Sequence, residues 1–402
     1  MPINDRLIGG PHSALGGERT SDSGGAGGVS GSPRQTDPNE KHFERSGFEI
    51  VEVAASEIAD LSNDRKEVAF CIVDDDEVRG GWKMSDPNAV FARSSDDMEL
   101  SLGDHFAGAG RLLQTEDEAE GVELRGFGID AREDGKGVNF SFNRGGRMRD
   151  VTVRGEGDAT TDWGCGIYCK IPRGQKVVLE NVNQPGGASR NTATDSTHDS
   201  IGAFLNAKSN GVLELHHCEF GGFPNNGLYG EPWKKNHDGY VKVYDHVGYN
   251  SDRDQLRVGG PSIIENPTLY VDESKPGFDN HRGIWFKAAN GARVTGGSIK
   301  TFPGSDSGSA IRVQSSSAAV EIEDIDIELR GTDYRARGVL AFSPDDRARR
   351  TGDVSVTVRD SRIHGDAPTR DGVLIKNRPG SKVVDTEIDL PNVDESNYVD
   401  IR

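Results

Sequence analysis

The chain has 402 residues, of which 33% are hydrophobic and 28% are charged, and its formal net charge is −19 at pH 7. No apolar stretch approaches the roughly 20 residues that a transmembrane helix needs, which excludes a membrane span of that kind. The acidic excess leaves no basic surface for duplex nucleic acid, so nucleic acid is not expected as a partner.

Acidic residues are spread along the whole chain, and Arg outnumbers Lys about two to one. Dispersed carboxylates with little Lys are typical of proteins from halophiles that accumulate salt, because hydrated surface carboxylates keep such proteins soluble. This composition favours a halophilic origin. The alternative is an acidic soluble protein with no special habitat.

Residues 1–40 are rich in Gly, Ser, Pro and charged residues. The segment has too little apolar surface to offset the entropy of ordering, so the sequence predicts a flexible arm that would anchor the chain in an assembly. The first 20 residues also lack the apolar core of a secretory signal. Export by the usual route is therefore not expected, although a virion component reaches the outside without such a signal.

Residues 41–105 have a different pattern. Residues 48–53 alternate as a strand does, residues 54–61 suit one short helix, and residues 68–73 form an apolar run typical of a buried strand. The open end of a solenoid would expose core side chains and strand edges. We therefore interpret residues 41–105 as a small α/β cap, with docking to a larger body as a second use.

From residue 106 to residue 402 a short unit recurs, consisting of a small residue, an apolar strand, a turn and a second strand. Leu228, Leu256 and Ile284 mark the apolar strand in three successive units and are 28 residues apart. Strands that return at one interval indicate a solenoid in which each turn buries its apolar side on the next. Other units begin with the pairs Gly166-Ile167, Gly202-Ala203, Ala310-Ile311, Gly338-Val339 and Gly372-Val373.

Turn residues favour this solenoid over a β-sandwich, which also has many short strands. The second strand is repeatedly followed by Asn or Asp, as at Asn181, Asp324 and Asp360. These residues tolerate a left-handed backbone and therefore suit tight corners. Alternation of period two is clear, and helical periodicity is nearly absent. The sequence predicts an all-β fold, with a right-handed, single-stranded parallel β-helix over residues 106–402.

The residue after each apolar anchor is expected to point outward, and stacking of strands about 4.8 Å apart brings these residues into one column. The column comprises Tyr168, Phe204, Tyr229, Arg257, Trp285 and Arg312. Aromatic rings stack on the apolar faces of sugars and Arg binds hydroxyls or carboxylates, so the column predicts a glycan-binding face. Trp233, in a polar loop, and His281 complete the predicted ligand-binding residues. The alternative is that loops cover the rings, which would then form a second, outer core.

A polysaccharide-degrading enzyme would need two carboxylates at a set separation, about 6.5 to 9.5 Å for an inverting hydrolase. Asp252 and Asp254 would share one side of an extended strand at roughly 7 Å, which makes them the candidate catalytic pair. A lyase would instead use a base such as Arg257 or His281. Solvated loop carboxylates are the simpler interpretation in so acidic a chain.

The four cysteines, Cys71, Cys165, Cys169 and Cys218, give no disulfide framework. Cys165 and Cys169 have no second pair or nearby His run that would complete a zinc site, so buried free thiols are expected. The sequence predicts no metal site and no cofactor.

Several runs of the repeat are similar to those of a known group of proteins. They are Cys218-Glu219-Phe220-Gly221-Gly222-Phe223, Asn226-Gly227-Leu228-Tyr229, Gln255-Leu256-Arg257-Val258-Gly259-Gly260-Pro261 and His281-Arg282-Gly283-Ile284. With these runs, residues 106–402 resemble the right-handed parallel β-helix repeat proteins of halophilic archaea and their viruses. More broadly, they resemble the pectate-lyase-like and tailspike superfamily.

The resemblance implies a spike or adhesin on the surface of a halophilic virus, binding a host-surface glycan or glycoprotein. The N-terminal region would contact other virion proteins, and the chain would assemble as a homotrimer. The alternative location is the extracellular space or the cell surface of a halophilic archaeon. Because the superfamily also includes enzymes, a polysaccharide lyase or glycoside hydrolase is the alternative function. A purely structural assembly protein is the third.

Overall fold

The fold is taken from a computed structural model of the chain. It describes residues 37–60, 67–74, 77–79, 81–84, 88–92, 98–103, 110–115, 119, 121–132, 137–157, 165–189, 200–231, 237–272, 278, 281–301, 309–330, 337–367, 369, 371–391 and 393–402.

Within these residues the chain forms 33 β-strands and two short α-helices, α1 at Pro38–Arg45 and α2 at Asp346–Arg350. Turns of 3₁₀-helix lie at Ala55–Asp60 and Glu395–Asn397. Neither α-helix is long or apolar enough to cross a membrane. In chain order the strands are β1 Glu49–Val53, β2 Val68–Ile72, β3 Trp82–Met84, β4 Asn88–Ala92, β5 Glu99–Ser101, β6 Gly110–Thr115, β7 Val122–Asp130, β8 Val138–Phe142, β9 Gly146–Arg154, β10 Cys165–Cys169, β11 Lys176–Gln184, β12 Ile201–Leu205, β13 Val212–His216, β14 Glu219–Gly221, β15 Asn226–Gly230, β16 Tyr240–Tyr244, β17 Val247–Tyr249, β18 Asp254–Gly260, β19 Ile263–Glu265, β20 Thr268–Tyr270, β21 Arg282–Ala289, β22 Ala292–Thr295, β23 Ser298–Thr301, β24 Ser309–Val313, β25 Val320–Glu323, β26 Asp326–Leu329, β27 Arg337–Ala341, β28 Val356–Arg359, β29 Arg362–Gly365, β30 Val373–Ile375, β31 Lys382–Val384, β32 Glu387–Asp389 and β33 Val399–Ile401.

The strands stack in two long parallel sheets. Sheet 1 contains twelve strands in the order β3-β6-β8-β10-β12-β15-β18-β21-β24-β27-β30-β33, and sheet 2 contains the other 21. Sheet 2 has two halves, which meet at a corner in each turn. Strands β7, β9 and β11 are nine residues long and run through both halves. In later turns two short strands, such as β13 and β14, replace each long one. The predicted parallel β-helix is confirmed, and its right-handedness stays a prediction.

Sheet 1 is built on one column of apolar anchors. Leu256 lies opposite Leu228 on one side and Ile284 on the other, as their spacing predicts, and all three are fully buried. The residue before the anchor also faces the core, since a Cβ on Gly283 would lie 2.6 Å from Ile299 Cγ2. This close packing explains why a small residue starts most units.

The corners within sheet 2 require a left-handed backbone. The prediction for Asn181, Asp324 and Asp360 is confirmed, because their φ angles are 52°, 52° and 50°. A corner of this kind turns the chain between the two halves of sheet 2 without a loop. Further positive-φ residues at the equivalent corner are Asp150, His217, Asp245, Asn266, Gly296 and Asp385.

Parallel pairing begins at residue 49 rather than at about residue 106. β1 pairs with β2, β2 with β4, and β4 with β7, so residues 41–105 contain the first turns of the solenoid. The unequal spacing of these strands along the chain hides the repeat in the sequence. A capping role for residues 41–105 stays a prediction. The predicted arm lies outside the described residues except for residues 37–40, which start α1.

Helix α1 covers the outer face of sheet 2 at these first turns. The Phe43 ring stacks on Phe91 with centroids 4.7 Å apart, and Ala69, Cys71 and Ala89 complete the small cluster beneath it. Asn39 Nδ2 donates a hydrogen bond to the carbonyl of Ala92 at 3.2 Å. The helix therefore packs against the side of the solenoid.

Cys71, Cys169 and Cys218 are buried free thiols, as predicted, and burial raises the pKa of Cys218 to about 12. The side chain of Cys165 lies outside the described residues. Among the described side chains, no group of three or more His, Cys, Asp or Glu is placed to hold a metal ion.

Arg378 ties several turns of the chain together near the C-terminal end. It is 2% exposed, and its guanidinium donates six hydrogen bonds to backbone carbonyls. Burial lowers its pKa only to about 10, so the group stays charged at neutral pH. The acceptors are the carbonyls of Gln314, Ser317, Ala318, Phe342 and Val354.

We expect Arg378→Met to lower the free energy of unfolding by at least about 3 kcal/mol, because buried carbonyls lose a charged donor. Urea denaturation followed by circular dichroism measures this change. Arg173→Met is the matched control, because Arg173 is 76% exposed and its ion pair with Asp238 is worth at most about 1 kcal/mol. Equal losses in the two variants would contradict a special role for Arg378.

His246 is fully buried in the core, and its ring meets Phe220 edge-on with centroids 5.2 Å apart. Burial lowers its pKa from 6.5 to about 4. Between these two pH values the unfolded chain therefore binds more protons at this site than the folded chain does. The folded state loses stability when the pH falls through this range.

The free energy of unfolding is expected to fall as the pH drops from about 6.5 to about 4, by about 3 kcal/mol at the lower limit. His246→Leu removes this titration and should flatten that part of the pH dependence. Urea midpoints at pH 7, 5.5 and 4.5 test this, with the partly exposed His216→Gln as control. If the wild type and His246→Leu lose stability in parallel, His246 is not the source.

Candidate functional site

The outer face of sheet 1 carries the predicted column. Tyr229 lies opposite Phe204 on one side and Arg257 on the other, and Trp285 lies between Arg257 and Arg312. The column continues through Leu340 and Leu374, where it becomes aliphatic. Side chains that are 25 to 36 residues apart in sequence thus become neighbours on one surface.

Aromatic rings and cations alternate along the middle of this column. The guanidinium carbon of Arg257 lies 4.2 Å from the centroid of the Tyr229 ring and 4.6 Å from that of Trp285. The guanidinium carbon of Arg312 lies 5.2 Å from Trp285 and 4.7 Å from Phe342. These distances are those of cation–π contacts, which stabilise the exposed rings and hold the cations in place.

Phe342 was missed in the sequence because it stands two residues beyond the column position of its own turn. That position is polar in the preceding turns, where it holds Lys287 and Gln314. The sequence does show an aromatic residue at this position, but only the structure shows that its ring contacts Arg312.

Glu231 holds two of the cations from a buried position. It is 1% exposed, and its Oε2 accepts hydrogen bonds from Arg257 Nε at 2.9 Å and Nη2 at 2.6 Å. Lys287 Nζ lies 3.5 Å from the same oxygen, although burial lowers the pKa of Lys287. Burial also raises the pKa of the neighbouring Tyr229 to about 12. Arg257 is 7% exposed, and two of its nitrogen atoms donate hydrogen bonds to Glu231.

The candidate catalytic pair has a different geometry from the predicted one. β18 begins at Asp254, so no extended strand passes through both Asp252 and Asp254. The two residues are 1% and 0% exposed, and Asp254 Oδ1 accepts a hydrogen bond from Arg282 Nη1 at 2.8 Å. A catalytic role for the pair stays a prediction that lacks the strand geometry proposed for it.

The structure describes one of the two remaining predicted residues. His281 is 5% exposed, and its Nδ1 lies 3.1 Å from the carbonyl oxygen of Ser251. Trp233 lies outside the described residues. The face that the structure brings together therefore consists of the column and its charged neighbours.

Cations outnumber carboxylates around Trp285. Four cationic groups lie within 5.4 Å of the centre of its ring, whereas the carboxylates paired with them among the described residues are two, Glu231 and Asp254. Arg312 is partly buried and has no carboxylate partner among the described residues, and burial and the nearby Arg282 lower its pKa. The patch is thus positive, in a chain whose net charge is −19.

Several buried polar atoms on this face have no hydrogen-bond partner in the described structure. Buried polar groups usually have partners, so these atoms are expected to bond to ordered water or to a polar ligand. The atoms are Asp254 Oδ2, Arg282 Nε, Trp285 Nε1, Arg312 Nε and Gln314 Oε1.

No family model and no curated protein sequence matches the chain. Two solved structures of the surface adhesin PfbA of Streptococcus pneumoniae are similar in fold. One is 8% identical with a TM-score of 0.52 and covers 84% of this chain and 90% of that chain. The other is 12% identical with a TM-score of 0.50 and covers 83% of each.

The catalytic domain of a GH87 α-1,3-glucanase in complex with nigerose is 11% identical and covers 94% of this chain and 67% of that chain, with a TM-score of 0.47. That score is too low to support an inference. The adhesin structures show a shared β-helix fold and, at such low identity, nothing further.

We expect Glu231→Gln to lower the free energy of unfolding by about 3 kcal/mol or more, because the buried Arg257 and the partly buried Lys287 lose their carboxylate. Glu265→Gln is the matched control, since Glu265 is 38% exposed and its pair with Arg293 contributes at most about 1 kcal/mol. Urea denaturation of both variants gives the comparison. Similar losses would show that Glu231 does not hold the patch together.

Proposed function

We propose that the protein is a non-enzymatic adhesin that binds a glycan along the outer face of sheet 1. The observation that carries the proposal is the alternation of rings and cations from Tyr229 to Arg312, with Phe342 beside Arg312, which has no carboxylate partner among the described residues. Rings that are held apart by cations offer stacking surfaces for sugars. The guanidinium of Arg312 offers hydrogen bonds.

The charge of the patch favours an acidic sugar unit. Most of the surface of a chain with a net charge of −19 repels an anionic polymer, so the cationic patch around Trp285 would select where such a polymer binds. A guanidinium forms paired hydrogen bonds with a carboxylate, and Arg312 is the cation of the patch that has no carboxylate partner in the described part of the chain. A uronate unit bound at Arg312 is therefore the favoured ligand.

The setting of this activity is also proposed. A surface location agrees with the fold that the chain shares with a surface adhesin. The acidic composition supports a halophilic source, and the polar residues 1–40 support an anchoring arm. We propose a spike on the surface of a halophilic virus, attached through its N-terminal region to other virion proteins and assembled as a homotrimer, with a host-surface glycan as ligand.

We expect Arg312→Gln to weaken binding of uronate-containing polysaccharide at least tenfold, because it removes a charge-assisted hydrogen bond worth about 1.5 to 3 kcal/mol. Trp285→Ala should weaken binding to a similar extent by removing the stacking surface. Biolayer interferometry with the full chain measures both. Arg293→Gln, on the outer face of sheet 2, is the matched control and should bind like the wild type.

Unchanged affinity in both variants would contradict the proposed face. New reducing ends or unsaturated uronates in the incubated polysaccharide would show a hydrolase or lyase instead. In that case Asp252→Asn and Asp254→Asn test the predicted catalytic pair. Absence of any glycan binding, together with self-association through the column, would favour a purely structural assembly protein.

A further inference from the structure

A second feature lies on the same face, nearer the N-terminal end of sheet 1. A cleft of about 330 Å³ opens there over strands β6, β8 and β10. Its polar lining consists of Arg111, Gln114, Asn139, Ser141, Asn143 and Asn206. None of the described residues that line it is acidic, although the chain contains 66 Asp and Glu residues.

The cleft is continuous with the aromatic column. Ser141 lies opposite Gln114 on one side and Tyr168 on the other, so these residues extend the column beyond Phe204. The Tyr168 ring forms one wall of the cleft and lies 5.9 Å from the ring of Phe204. From β6 to β24 the face spans seven strand steps, or roughly 34 Å.

Several carboxamides in the cleft are already oriented by the protein. Asn143 Nδ2 donates to the carbonyl of Thr115 at 2.6 Å, which leaves its Oδ1 as an acceptor. Asn206 Oδ1 accepts from the backbone N–H of Lys208 at 2.9 Å, which leaves its Nδ2 as a donor. Gln114 Oε1 accepts from Arg111 at 2.8 Å, so its Nε2 is a second donor.

Fixed donors and a fixed acceptor in one small cleft suit hydroxyl groups, because a hydroxyl both donates and accepts. A carboxylate only accepts, so the acceptor Asn143 Oδ1 would face it unfavourably, and Arg111, the one cation among the described lining residues, already donates to Gln114 Oε1 at 2.8 Å. The Tyr168 ring adds an apolar surface of the kind on which a pyranose stacks. The chemistry of the cleft therefore differs from that of the cationic patch around Trp285.

We propose that this cleft is a subsite for an uncharged, hydroxyl-bearing sugar unit, so that the face binds a glycan of mixed charge in one direction. The inference rests on the proposed glycan-binding function of the same face. The neutral unit occupies the cleft beside Tyr168, and the acidic unit lies at Arg312. Such a face discriminates against polymers that consist of uronates alone.

The test uses the full chain and three sets of oligosaccharides of equal length: neutral hexose oligomers, uronate oligomers, and oligomers in which hexoses and uronates alternate. We expect the wild type to bind the alternating oligomers at least tenfold more tightly than the uronate oligomers. Gln114→Ala and Asn206→Asp, which remove the free donors, should each reduce that advantage at least threefold. Gln114→Ala, which adds no charge, should not change uronate binding by more than twofold.

Asn183→Asp is the matched control, because Asn183 is a partly buried carboxamide on β11 of sheet 2. It should leave all three affinities unchanged, and circular dichroism verifies that each variant is folded. Alternating and uronate oligomers bound equally well by the wild type would overturn the proposed subsite. The proposed subsite would also be overturned if the alternating oligomers kept their tighter binding in both Gln114→Ala and Asn206→Asp. Failure of the wild type to bind any of the three sets would instead overturn the proposed function.

Discussion

The parallel register of the strands is the constraint on which the other features depend. Each turn lies about 4.8 Å above the last, so a side chain meets the same position of its neighbouring turns. Two like charges in successive turns of one column would repel each other. The column avoids this by placing Trp285 between Arg257 and Arg312, where the ring attracts both cations.

The register itself is maintained by corners and ties that lie away from the site. Left-handed corners such as Asn181 and Asp324 let every turn bend at the same place, which keeps equivalent residues aligned. Near the C-terminal end, Arg378 binds the carbonyls of Gln314 and Phe342, and both residues belong to the face that carries the column. These corners and ties therefore fix the positions of the side chains on the outer face of sheet 1.

Charge is unevenly distributed along sheet 1. Around Trp285 buried carboxylates neutralise part of a cationic cluster, and desolvation makes each of these pairs matter for stability as well as for binding. At the N-terminal end of the same face, carboxamides and a hydroxyl predominate, and Arg111 is the one charged group among the described residues that line the cleft. A surface whose two ends differ in polar chemistry gives a bound polymer a direction, which a uniform surface would not.

The sequence alone determined the β-helix, its left-handed corners and the members of the column, because each of these follows from spacing in a repeating structure. Which side chains contact each other, and which are buried, was decided only by the tertiary structure. Glu231 meets Arg257 because the two lie in adjacent turns, and Asp252 and Asp254 are both buried although only Asp254 belongs to β18. The amide-lined cleft and the early turns from residue 49 were hidden for the same reason. Spacing sets which positions align, whereas contacts depend on the loops and side chains that fill the space between them.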